Sequence, residues 1–149
     1  MPFAIVRNDI TKMQVDAIVN SANPRAIVGG GVDRAIHQAA GAELLTARRK
    51  IGNIAAGTAA VTPAYRLHAR YVIHTVGPVW QDGSHGEREL LSRAYQNSLR
   101  LAAERDCSSI AFPLLSAGVF GCPSEIAIAA AVQAIRDFLQ EHDMDVYLV

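Results

Sequence analysis

Short β-type apolar runs alternate with longer helical ones along the chain. Phe3 to Val6 form one run, and Val15 to Val19 form another, bounded by Asp16 and Asn20. Thr58 to Thr62 read as a strand ended by Pro63. Tyr71 to Val76 read as a β-branched strand closed by Gly77-Pro78. Ser109 to Leu115 are apolar nearly throughout, the pattern of a central strand covered on both faces. Asp145 to Val149 begin a further strand, and the chain stops within it, so truncation of the C-terminal strand is expected.

Helical patterns fill the intervals. One covers Val32 to Ala40, Gly41 breaks it, and a second follows over Ala42 to Lys50. Ser84 and Glu87 match a capping box, which predicts a helix to about Arg105 with the stripe Leu90, Leu91, Ala94, Tyr95 and Leu101. Ser124 is expected to cap a fourth helix with the inner stripe Ile128, Val132, Ile135 and Leu139. This alternation implies an α/β sheet with helices on both faces, and in such folds ligands bind beyond the carboxyl ends of the strands. There is no repeat, low-complexity run or linker, so residues 1–149 are read as a single domain.

Composition narrows the partners. Half of the residues are hydrophobic, enough for a core, and 14 basic residues balance 14 acidic ones. A chain of zero net charge is a poor match to RNA or DNA gripped along its length, so any anion must be held locally. Cys107 and Cys122 have no CxxC or Cys/His context, which points to buried thiols in a reducing compartment. The N-terminus lacks a signal-peptide pattern, and no stretch approaches the roughly 18 apolar residues of a membrane span. The expected location is the cytoplasm, and the expected state is a monomer.

Two glycine-rich loops stand out, each directly after a predicted strand. Gly29-Gly30-Gly31 opens a helix whose free amides and dipole make a seat for a phosphate; a flexible surface turn is the alternative. Ser116-Ala117-Gly118-Val119-Phe120-Gly121 joins a buried strand to a helix, and Gly118 and Gly121 can turn successive N–H groups toward one point. Phe120 either covers a ribose or base or packs on the neighbouring helix. Two facing nests suit a diphosphate. Neither loop is a P-loop or a GxGxxG fingerprint.

Asn20, Asn23 and Asp33 flank the first loop. Asn23 can bind a sugar hydroxyl or orient a water. Asp33 can cap its helix or, beside a diphosphate, activate a water or a ribose hydroxyl. Asp9 can receive an exocyclic amine or cap a turn. His37, one helical turn after Asp33, can face the same cleft. His74 reads as a satisfied core histidine, and His68, His85 and His142 as surface residues. No His/Asp/Glu grouping has metal-ligand spacing, so no metal or other cofactor is expected.

Asn8-Asp-Ile-Thr-Lys, Val15-Asp-Ala-Ile-Val-Asn-Ser-Ala-Asn, Gly29-Gly-Gly-Val-Asp, Ala35-Ile-His, Tyr71-Val-Ile-His-Thr-Val-Gly-Pro and Ile110-Ala-Phe-Pro-Leu-Leu-Ser-Ala-Gly-Val-Phe-Gly run in order across nearly the whole chain. Together they resemble the macrodomain family, and within it the MacroD-type ADP-ribosyl hydrolases. The resemblance implies a three-layer αβα fold with a mixed, mostly parallel sheet. It implies ADP-ribose as ligand, with Asp9 on the adenine amine and Ile10 beside the ring. Gly29, Gly30, Gly31 and Val32 with Ser116, Ala117, Gly118, Val119, Phe120 and Gly121 would clamp the diphosphate, and Phe120 would lie on the distal ribose. Asn20 and Asn23 would face that ribose, Ala22 and His37 join the binding set, and Asn23 and Asp33 would be catalytic. The chain departs from the pattern at Arg34, where the family usually has glycine, and at Val28, where many relatives have another.

The implied activity is removal of mono-ADP-ribose from Asp or Glu side chains of modified proteins, and deacetylation of O-acetyl-ADP-ribose. A reader module that binds ADP-ribose without hydrolysis is the alternative, motivated by Arg34. An RNA-binding role is weaker, because the chain is neutral.

Overall fold

The computed structural model describes residues 2–149. Six strands, β1 (Phe3–Ile5), β2 (Ala17–Ser21), β3 (Ala59–Pro63), β4 (Tyr71–Thr75), β5 (Ser109–Phe112) and β6 (Asp145–Leu148), form one sheet. Its order is β1-β6-β5-β2-β4-β3. All neighbours are parallel except β3 and β4, which pair antiparallel at one edge. Four helices, α1 (Gly31–Ala40), α2 (Ala42–Ile51), α3 (Glu87–Glu104) and α4 (Ser124–Leu139), complete three layers. No helix among the described residues is long and apolar enough to cross a membrane.

The strand period of two assigns the faces. Ala17 and Val19 of β2 join Leu91, Tyr95, Leu99, Ala131 and Ile135 in the core under α3 and α4. Ile18 points the other way and packs with Ile36, Ala40 and Leu44 of α1 and α2. All three of these β2 residues are inaccessible to water, as a strand covered on both faces requires.

β2 and β5 are parallel neighbours, yet their connections leave to opposite faces. β2 leads to α1, and β5 leads to α4. Chains that part in this way open a crevice at the carboxyl ends of the strands, the usual ligand position in open α/β sheets. The two glycine loops are these two connections.

Several local expectations are corrected. The helix α3 starts at Glu87, with Gly86 in the left-handed region at its N-cap. Ser84 does not cap it; its hydroxyl donates to Asp82 Oδ1 at 2.6 Å. The Glu87 carboxylate instead accepts the amides of Gln81, Asp82, Gly83 and His85 and wraps the preceding loop around itself. Burial raises the Glu87 pKa, but these backbone donors outweigh it and hold it down to about 2. Ser124 lies inside α4, whose N-cap is Pro123 and has no side-chain cap. The buried face of α4 is Ala127, Ala131, Ala134 and Ile135, while Ile128 is exposed. Strand β5 ends at Phe112, three residues before the expected Leu115. Gly41 does break the helical pattern, serving α1 and α2 at φ +93°.

Candidate functional site

The loop after β2 is organised by two side chains. Asn23 fastens the loop to itself: its Oδ1 accepts the Arg25 amide at 3.0 Å, and its Nδ2 donates to the Ile27 carbonyl at 2.6 Å. Asp33, on the first turn of α1, reaches back so that its Oδ2 accepts the Gly29 amide at 2.8 Å. A Cβ on Gly29 would stand 3.5 Å from Asn23 Nδ2 and 3.6 Å from Asp33 Oδ2. These two side chains therefore converge on the Gly29 α-carbon from opposite sides of the ten-residue interval between them (33 − 23).

Of the three glycines, only Gly31 lies in the left-handed region, at φ +58°. Gly30 is the N-cap of α1 and no side chain caps the helix there. The first-turn amides of α1 thus keep the free donors and positive dipole end that favour an anion.

Asp33 is nearly inaccessible, at 3% exposure. Its Oδ1 accepts Asn20 Nδ2 at 2.8 Å and Arg48 Nη1 at 2.9 Å, and His37 Nδ1 lies 3.1 Å away. Burial raises the carboxyl pKa, but hydrogen bonds from His37, Gly29 and Asn20 and the charge of Arg48 outweigh it. The net shift is well below the ordinary carboxylate range, so Asp33 is firmly ionised.

A polar layer continues from Asp33 under α1 and α2. The Asn20 amide nitrogen also contacts His74 Nδ1 at 3.1 Å, and His74 Nε2 contacts Thr62 Oγ1 at 3.0 Å. Asn20 is inaccessible in this interior position, and its Oδ1 has no partner. The Thr62 hydroxyl donates to the Pro63 carbonyl at 3.0 Å, which leaves it to accept from a protonated His74 Nε2. His74 is the satisfied core histidine expected of it. His37 is buried too and binds the Asp33 carbonyl at 2.9 Å. Arg48 was not anticipated. It sits one turn after Leu44 on the inner face of α2, and its position in that apolar stripe was the available signal.

The second loop turns through Ser116 at φ +65° and Gly121 at φ +79°, and Gly118 is not left-handed. Ser116 Oγ donates to the Pro78 carbonyl, Trp80 N donates to the Phe120 carbonyl, and Cys122 N donates to the Ser116 carbonyl, each at 2.8 Å. Among the described residues the amides of Ala117, Gly118, Val119 and Phe120 have no acceptor. Val119 is fully exposed. Phe120 packs with Ala22, Ile54 and Val76, so this loop touches the residue that follows β2. Ala22 is fixed there by donating its amide to Thr75 O at 2.9 Å.

Asp9 is exposed, and its Oδ1 accepts the Thr11 amide and hydroxyl at 3.0 and 2.7 Å, capping the single turn Ile10–Lys12. Those Thr11 bonds lower its pKa. Ile10 is buried against Ile18 and Ile36. Two surface grooves lie apart from the loops: about 360 Å³ between α2 and β3, and about 300 Å³ at the amino ends of the strands near Asp16 and Arg70. Asp82, His85 and Glu87 bring donor atoms within 4.8 Å of one another, a grouping that sequence spacing did not suggest. Their oxygens already accept five loop amides and the Ser84 hydroxyl, so they act as a loop clasp.

The family model of the Macro domain matches residues 19–131, and the chain belongs to that family. It is similar to a macro domain-containing protein of Chlorobaculum tepidum, 53% identical over 91% of this chain and 79% of that protein. It is 51% identical to a protein of Escherichia fergusonii named O-acetyl-ADP-ribose deacetylase, over 93% of this chain and 80% of the relative. The solved structure of the Oceanobacillus iheyensis macrodomain with ADP superposes with a TM-score of 0.94 at 42% identity, covering 99% of this chain and 81% of that one.

Proposed function

We propose that this macrodomain binds ADP-ribose and hydrolyses esters at its distal ribose, deacetylating O-acetyl-ADP-ribose and releasing mono-ADP-ribose from Asp and Glu side chains of proteins. The carrying observation is the approach of Asn23 Nδ2 and Asp33 Oδ2 to Gly29, in the first of two loops that leave amides without acceptors among the described residues. The deacetylase name of a relative and the ADP in a 42% identical structure support the ligand class.

In this reading the amides of residues 30–32 and 117–120 hold the diphosphate, Phe120 lies on the distal ribose and Asp9 receives the adenine amine. The loop amides neutralise the phosphates without a metal in this reading, so EDTA should leave turnover unchanged. A firmly ionised Asp33 is a weak base at neutral pH. Its role is to accept a hydrogen bond at Oδ2 and aim a water at the ester carbonyl, while Asn23 positions the ribose. Holding water and ester together is a proximity contribution.

A release assay with O-acetyl-ADP-ribose and with a protein mono-ADP-ribosylated on acidic residues tests the activity, and calorimetry with ADP-ribose tests the binding. Asp33→Ala and Asn23→Ala should lose most turnover and still bind ADP-ribose. One observation favours the reader alternative: Asp33 Oδ1 is fully occupied by Arg48 and Asn20. Binding heat without released product from either substrate would select that alternative.

A further inference from the structure

We propose that Arg48 is a positioning residue for this site, a single guanidinium that fastens both the Asp33 carboxylate and the backbone of the loop after β2. The inference rests on the hydrolase reading for its effect on turnover, and on geometry alone for the fastening itself.

Arg48 is completely buried on α2. Its Nη1 donates to Asp33 Oδ1 at 2.9 Å, and its Nη2 donates to the Arg25 carbonyl at 3.3 Å. Asp33 in turn holds the Gly29 amide, and Asn23 holds the amide of Arg25 itself. One planar fork therefore ties α2 to both ends of the loop that carries Asn23 and Gly29. Lysine, a point charge without the fork, can satisfy one of these acceptors but not both in the same geometry.

The placement has no packing rationale. Arg48 follows Leu44 on the buried face of α2, where an apolar side chain would fill the same stripe. Its Nε is buried without a partner, an unfavourable state that the other two nitrogens must offset. The charged and titratable groups that face it are Asp33 and His37 from α1, with His37 Nε2 at 3.5 Å from Nη1, and His74 of β4 beyond Asn20. Only Asp33 supplies a permanent countercharge.

The experiment compares Arg48→Met and Arg48→Lys with the parent chain. The Gly29 amide proton, which is donated to Asp33 Oδ2, reports the carboxylate by NMR whether or not the protein turns anything over. In the parent its shift should be flat between pH 8 and about 4, since the carboxyl is ionised throughout. In Arg48→Met the Gly29 amide resonance should move from its parent position, because Asp33 Oδ1 loses one of its donors, and exchange of the loop amides should speed up at least about tenfold. If that variant does not fold, Arg48→Lys carries the test: a flat Gly29 shift with faster exchange at residues 23–27. On O-acetyl-ADP-ribose, Arg48→Met should lower kcat about tenfold or more, with the KM changed less than twofold. Unchanged exchange in Arg48→Lys, or a folded Arg48→Met with the parent's Gly29 resonance and loop exchange, overturns the proposal. If the parent releases nothing but the Gly29 shift behaves as stated, the fastening stands and the hydrolase reading falls.

Discussion

The Ser116 hydroxyl occupies the space that a methyl group on Gly77 would need. Gly77 closes β4 and Ser116 opens the loop after β5, so this contact sets how near the second loop comes to its neighbour. Ser116 is also held at φ +65° by donating to Pro78 O. Gly77→Ala should push the loop outward. Overpacking of this kind costs about 1–3 kcal/mol. Urea denaturation should show that loss, and calorimetry should show ADP-ribose affinity lowered about tenfold. Adding Ser116→Gly should restore most of the stability. An unchanged midpoint in Gly77→Ala would mean that the hydroxyl rotates aside freely.

Asp33 and Arg48 form a buried pair, so removing one partner strands the other. Asp33→Ala should destabilise the fold by about 3–5 kcal/mol through an unpaired guanidinium, besides losing turnover. The double variant Asp33→Ala with Arg48→Met should recover much of that stability but no activity. Denaturant melts of both, read beside the release assay, separate the structural role from the chemical one. A single variant as stable as the parent would remove the buried pair from the account.

The layers of the fold were legible because period-two and period-3.6 apolar patterns alternate cleanly, and the site loops because three consecutive glycines and a stranded Phe120 are odd where they stand. What escaped depends on tertiary partners. Ser84 and Glu87 have the spacing of a capping box, but the loop from Gln81 to His85 folds over Glu87 and takes the carboxylate for itself. On α4 the larger residues suggested a stripe through Ile128; Ile135 of that stripe is buried, but Ile128 is exposed and the small residues Ala127, Ala131 and Ala134 take the rest of the core face. Arg48 has its countercharge fifteen residues away, beyond any local pattern. The Asn20 amide nitrogen bonds to Asp33 and His74, partners thirteen and fifty-four residues away that no local pattern could supply.

His74 gives stability a pH dependence. Burial first, then the nearby Arg48 guanidinium and the His37 ring, push its pKa down from 6.5 to about 3. As pH falls below 6.5 the unfolded chain binds a proton on this ring and the folded chain does not, until near pH 3. Stability therefore declines across that window as pH falls. Glu87, lowered to about 2, adds a further loss beginning near pH 4.5. Thermal melts should show the decline, and His74→Gln should flatten it between pH 6.5 and 4.5 at the expense of a lower Tm at neutral pH. An identical slope in that variant would assign the effect elsewhere.

Arg34 is exposed on the first turns of α1, immediately after Asp33, where the resemblance led to an expected glycine. A cation near a helix N-terminus opposes the dipole, so it does not serve the helix. It does add positive potential beside the α1 amides that would hold a diphosphate in the proposed reading. Through solvent such a charge is worth well under 1 kcal/mol and is screened beyond roughly 10 Å at 0.1 M salt. Arg34→Ala should accordingly weaken ADP-ribose binding about two- to threefold in low salt, and the difference should vanish near 0.5 M. Turnover at saturating substrate should stay the same, because the charge acts on binding and touches neither Asn23 nor the ester. If kcat rises severalfold in Arg34→Ala, the arginine obstructs the distal ribose, and the departure from glycine would then be a restraint on catalysis.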